Sequence, residues 1–144
     1  MTEVDGQSPF YTEGLSKESA EQKCKEGFKA IKPDLRPVPV QLTRRHHPYI
    51  DALPFKSFRE RVIVILGEFR LFEGLELFED LLNGGLVCWS TTSGIGSPWD
   101  ARSWEARPWF LKKWWMLLGG QDGEIYKQTC WWYELRGETP PPVW

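Results

Sequence analysis

Ser57-Phe58-Arg59-Glu60-Arg61-Val62-Ile63-Val64-Ile65 is the stretch that decides between two folds. Its β-branched run, Val62 to Ile65, favours a strand, because branching at Cβ stiffens the side chain and suits a pleated surface. The spacing points the other way. Phe58, Val62, Ile65 and Phe69 recur on one stripe of a 3.6-residue period. Ser57 with Glu60 three residues later also reads as a capping box, the serine oxygen meeting an orphan N–H while the glutamate reaches back. Two helix signals outweigh one propensity, and the segment is predicted to be helical.

Helical patterns extend on both sides. Phe72 to Leu82 places Phe72, Leu75, Phe78, Leu81 and Leu82 on one side, and Asn83-Gly84-Gly85 stops it by offering left-handed backbone. Upstream, His47 to Phe55 predicts an ordered turn, with His-Pro and Leu-Pro dipeptides. Ser16 can cap a polar helix running to about Ile31, with Ala20, Cys24, Phe28 and Ile31 on its docking stripe. Lys32-Pro33 ends that helix, and Pro37 and Pro39 keep the following chain extended. Leu86 to Ser90 reads as a short buried strand or a linker, and Thr91 to Gly96 as a flexible loop. Ser97, Pro98 and Asp100 carry another N-terminal signature, from which a helix is expected through Trp104 to Leu118, interrupted or kinked at Pro108. Gly119-Gly120 closes it, and Glu124 to Leu135 forms a last helix ending at Gly137.

The expected architecture is mainly α: a compact single-domain bundle of four or five helices with a Trp-rich core and room for one short strand pair. Along the chain this gives a flexible tail over 1–14, an N-terminal helix and Pro-rich linker over 15–46, a helical domain over 47–138 and a Pro-rich tail over 139–144. Nine tryptophans in 144 residues are the compositional anomaly. Each buries a large apolar ring yet needs a partner for its N–H, so they build a core or line a recognition surface.

A net charge of −2 lacks the basic balance of a free-standing nucleic-acid binder. Cys24, Cys88 and Cys130 are odd in number and widely spaced, unlike a disulfide framework or a zinc site, and read as reduced thiols. No signal peptide or apolar run of transmembrane length is seen, which leads to the expectation of an intracellular protein, nuclear or cytoplasmic, with no membrane partner.

Candidate chemistry is sparse. His47 could act as a general base oriented by Asp51, or simply cap its turn. Asp100 and Glu105, flanked by Trp99 and Trp104, could form an acid/base pair if apolar surroundings raise one pKa; capping by Asp100 and a salt bridge from Glu105 to Arg102 or Arg107 are the plainer reading. Trp99, Trp104, Trp109 and Trp115 are the candidate ligand-binding rings, with core packing as the plainer reading of their helical spacing. No phosphate loop, dinucleotide fingerprint, nucleophile elbow or HExxH motif is present, and neither a metal nor a cofactor is expected.

His47-Pro48 with Asp51, then Pro54-Phe55 and Arg59, resembles the opening of a fungal domain of unknown function. Gly85-Leu86-Val87-Cys88-Trp89, Pro98-Trp99-Asp100, Ser103-Trp104-Glu105, Phe110-Leu111-Lys112-Lys113-Trp114 and the closing Trp132-Tyr133 with Arg136-Gly137-Glu138 are similar to further elements of that family. The resemblance spans roughly His47 to Glu138. In many fungal transcription factors this domain lies C-terminal to a basic-leucine-zipper region. That region needs Asn and Arg at set spacing running into leucine heptads; here the only asparagine is Asn83 and no heptads occur. The resemblance therefore implies a stand-alone relative of the bZIP-associated domain, linked to transcription through a protein partner or a small hydrophobic molecule, without direct sequence-specific DNA binding. The alternative is a small cofactor-independent enzyme of fungal secondary metabolism (a cyclase, isomerase or hydrolase), with a Trp-lined pocket and His47, Asp51, Asp100 or Glu105 as acid/base groups.

Overall fold

A computed structural model describes residues 8–66, 71–89 and 97–144, the side chains of 71–73 excepted. Among them are the helices α1 (Lys17–Glu26), α2 (Pro39–Thr43), α3 (Lys56–Leu66), α4 (Leu71–Leu82), α5 (Pro108–Lys113) and α6 (Glu124–Leu135). Short 3₁₀ turns at Pro33–Leu35, Pro48–Ala52, Ala101–Ser103 and Gly120–Asp122 join them. Strands β1 (Leu86–Cys88) and β2 (Trp104–Ala106) pair antiparallel with Leu86 opposite Ala106 and Cys88 opposite Trp104. The protein is mainly helical, with one small sheet. Expected features at Met1–Gln7, Phe69 and Thr91–Gly96, and the side chain of Phe72, lie outside the described residues.

The segment 57–65 is helical, but its N-terminus is capped from elsewhere. The helix begins two residues early, at Lys56, with Arg59 N–H donating to the Phe55 carbonyl at 2.9 Å. Ser57 therefore sits inside the first turn and cannot cap it. Its N–H and Oγ both donate to Glu124 Oε1, at 3.1 and 2.6 Å, so a carboxylate from the head of α6 meets the positive end of α3. The buried face is Phe58, Arg59, Val62, Ile63 and Leu66. Ile65, expected on it, is exposed beside Val64. In α4 the inward residue is Leu77, while Leu75 and Leu82, assigned to the docking face, point outward.

The single helix expected from Ser97 to Leu118 is instead a turn, a strand and a helix. Asp100 caps the Ala101–Ser103 turn by accepting from Arg102 N–H at 2.9 Å. The chain then runs beside β1, where Trp89 N–H meets Ser103 O at 2.6 Å and Arg107 N–H meets Gly85 O at 2.9 Å. Pro108 is the first residue of α5, where its missing N–H is harmless, rather than a kink in a longer helix. α1 begins as expected, Ser19 N–H donating to Ser16 Oγ at 3.1 Å, but ends at Glu26, short of Ile31. Phe28 at φ 62° breaks the helical path and turns its ring edge-on to Phe10.

The core centre is built from Phe55, Phe58, Leu77, Phe110, Leu111 and Ile125, each at most 2% exposed. No tryptophan is fully buried. Trp104, Trp114 and Trp115 pack half-buried against that centre, and Trp89, Trp99, Trp109, Trp131 and Trp144 are 38–49% exposed. The expected Trp-rich core is thus a layer around a phenylalanine and leucine centre. The indole N–H explains the placement: those of Trp89, Trp104 and Trp114 reach Glu105, the Pro98 carbonyl and Asp80, acceptors found at the margin of an apolar core.

One buried charge joins the N-terminal segment to the rest. The fully buried Arg59 guanidinium donates to Gln41 Oε1 at 2.9 Å, Asp34 O at 2.8 Å and Arg36 O at 2.6 Å, and to Leu53 O. Burial pushes this group down to about 10, against the pull of Asp51, Glu124 and Asp34, so it stays charged at neutral pH. The stretch read as helix and linker is held through this clasp. Both presumed tails also dock where described: Ser8 is buried, and Tyr126 Oη donates to Pro141 O at 2.7 Å while Trp144 lies edge-on to Trp115.

Candidate functional site

The His47–Asp51 pairing does not form. A 3₁₀ turn has three residues per turn, so Ile50 rather than Asp51 follows beneath His47. Asp51 is reached instead by His46 Nε2 at 2.7 Å, by Gln41 Nε2 at 2.9 Å and by Ser8 Oγ. Burial alone would raise the Asp51 carboxyl, but these hydrogen bonds and the adjacent imidazole hold it below the ordinary range. His46 Nδ1 lies 2.9 Å from Arg44 O. His47 stacks near Tyr49, and its Nε2 is buried with no hydrogen-bond partner among the described residues.

Asp100 and Glu105 are likewise committed, each to its own arginine. Arg102 holds both Asp100 oxygens from Nε at 3.1 Å and Nη2 at 2.8 Å, lowering that carboxyl. Glu105, 5% exposed, accepts a two-pronged clamp from Arg136 at 2.7 and 2.8 Å and the Trp89 indole at 2.6 Å. Burial pulls Glu105 upward, yet the hydrogen bonds from Arg136 and Trp89 and the charges of Arg136 and Arg107 overcome it. Asp100 takes the capping role and Glu105 is salt-bridged, to Arg136 rather than to Arg102 or Arg107, and both carboxyls shift downward because cations occupy their oxygens. Arg136 lies thirty-one residues from Glu105, so no local spacing marks it as the partner.

The four candidate rings do not converge. Trp99 lies under the Lys32 ammonium at 5.3 Å and lines a cleft of about 490 Å³. Trp104 is bonded to Pro98, Trp109 leans edge-on against Phe110, and Trp115 borders a groove of about 380 Å³ beside Met116. A larger cleft, about 890 Å³, shares the turn at 100–102 with the one beside Trp99 but is lined by none of the four rings. Its one bank is a face of α6, where Glu124, Lys127, Gln128 and Trp131 recur at i, i+3, i+4 and i+7, with Trp132 beside them. Phe55 and the Asp100–Ser103 turn form the opposite side, tied across by Gln128 Nε2 donating to Arg102 O at 3.1 Å.

Two rings make a corner in this cleft. Trp131 and Trp132 stand at 82° with centroids 5.0 Å apart. Trp131 is about half exposed, whereas Trp132 Nε1 is buried without a hydrogen-bond partner among the described residues. Their placement was legible in the sequence only as a helical echo of the denser tryptophan stretch; which face of α6 stays open depends on β2, against which it packs. Among the described residues no group of three or more His, Cys, Asp or Glu is placed to hold a metal ion, and no helix is long and apolar enough to cross a membrane.

The family described as a domain of unknown function (DUF3425) matches residues 16–126. The chain belongs to that family. The match begins at Ser16, well ahead of His47, and so includes α1, α2 and every partner of the Arg59 clasp. It ends at Tyr126, before Trp131, Trp132 and Arg136, so much of the aromatic cleft and the clamp on Glu105 lie past the matched stretch. No curated protein and no solved structure matches the chain.

Proposed function

We propose that the protein is a regulatory binding module, a relative of the domain that accompanies fungal bZIP regions. On this reading it acts in transcriptional regulation by engaging a protein or small molecule rather than by reading DNA. The observation carrying the proposal is the cleft of about 890 Å³ walled by Trp131 and Trp132, within the size range of pockets that enclose small ligands. The state of the acid/base candidates supports binding over turnover. Asp51, Asp100 and Glu105 are all held below the ordinary carboxylate range by groups that occupy their oxygens, whereas a general acid at neutral pH needs a raised pKa. A net charge of −2 supports a route other than the DNA backbone.

Native mass spectrometry of the purified chain beside its Trp131→Ala variant tests the proposal. A bound molecule or protein is expected on the wild type and absent from the variant. An adduct held equally by both chains, or tight binding to duplex DNA at physiological salt, would overturn it.

A further inference from the structure

Resting on that reading, the groups in the cleft that remain uncommitted define the chemistry of its occupant. Asp100 has both oxygens on Arg102, and Gln128 spends its amide N–H on Arg102 O. Glu124 Oε1 is held by Ser57 at the start of α3. Gln128 Oε1 and the second Glu124 oxygen remain as acceptors, and two donors remain beside them. Lys127 makes no ion pair among the described residues, and Trp132 Nε1 is buried without an acceptor. An ammonium and an indole N–H can only donate. Lys127 lies one helical turn before Trp131, so the two side chains share the face of α6 that lines the cleft. Glu124, one turn earlier, is the opposing charge, and it faces α3.

Shape narrows the class further. The near-perpendicular Trp131 and Trp132 rings form an inside corner, in which a planar molecule lies along one face and meets the other edge-on. We propose that this cleft binds a flat, apolar molecule carrying one acidic group, its ring in the Trp131–Trp132 corner and its acid on the Lys127 ammonium.

Two probes that differ only by the acid test this: anilinonaphthalene sulfonate and its uncharged parent phenylnaphthylamine, titrated by fluorescence against the folded chain. The sulfonate is expected to bind about two- to fivefold more tightly, the scale of one partly exposed charge pair. Lys127→Gln should remove that preference without weakening the neutral probe, and Trp131→Ala should weaken both. Unchanged urea midpoints would show that the variants remain folded. Equal binding of the two probes to the wild type, or a preference that survives Lys127→Gln, would overturn the acidic-ligand proposal while leaving a binding cleft. Probe binding indifferent to Trp131→Ala would overturn both this proposal and the cleft itself.

Discussion

Replacing Arg59 by Met removes the charge that holds the N-terminal segment against α3 while keeping an apolar stem of similar length. The carbonyls of Asp34, Arg36 and Leu53 lose the Arg59 donor, and Gln41 Oε1 is left with the Val38 N–H alone. An unsatisfied buried acceptor costs about 1–3 kcal/mol, but water entering from the Asp34 and Arg36 side relieves part of it. Breaking a buried charged network typically costs about 3–5 kcal/mol, and that is the expected loss here. For a chain of this size it corresponds to a fall in Tm of about 6–20 °C. Urea unfolding followed by tryptophan fluorescence gives the free energy, and hydrogen exchange locates it, with amides of α1 and α2 losing protection first. Arg59→Lys should recover little, because one ammonium cannot span acceptors that a planar fork reaches together. A Met variant within about 1 kcal/mol of wild type, or full recovery by Lys, would refute the clasp as the tie between the two parts.

Other perturbations probe separate features. Glu105 is lowered from 4.5 on folding, so its stabilisation is fully present above that value and is lost as pH falls through the lower folded one; Glu105→Gln should flatten the acid limb of a stability–pH profile measured from pH about 6 down to about 2. Glu124→Ala uncaps α3 and should cost about 1 kcal/mol in chemical denaturation, with Ser57→Ala costing less because the Ser57 N–H keeps its bond to Glu124. Gly85→Ala would drive a methyl into the Phe110 ring and to 2.9 Å from the Asp80 carbonyl; a loss of about 1–3 kcal/mol is expected by urea titration. Tyr126→Phe releases Pro141 and should cost about 1 kcal/mol while altering the fluorescence of Trp115 as Trp144 moves away.

Local rules reached some elements and missed others for identifiable reasons. α6 runs from Glu124 to Leu135 as its pattern indicated, with Gly137 in left-handed backbone beyond it, because caps and periodicity agree there. Trp104 to Ala106 was missed because its helical spacing is real, yet Leu86 to Cys88 offers those backbone groups a ladder that the spacing cannot register. The candidate residues show the same division. Asp51 was singled out with the wrong histidine, since a 3₁₀ turn changes which residue follows beneath His47. Asp100 and Glu105 were recognised as special, but the arginines that settle their ionisation come from Arg102 nearby and from Arg136, thirty-one positions away along the chain.

The amino-acid sequence by itself determined the helical class, the starts of most helices and the family-like motifs, because these depend on contacts within a few residues. Tertiary structure alone decided where the tryptophans lie, which carboxylates are occupied and which face of α6 stays open. Those outcomes depend on partners far apart in the chain: Glu124 for the end of α3, Arg59 for the carbonyls of Asp34 and Arg36, and β1 for β2. A ring that needs both apolar contact and an acceptor for its N–H takes its place only when the fold brings the two together.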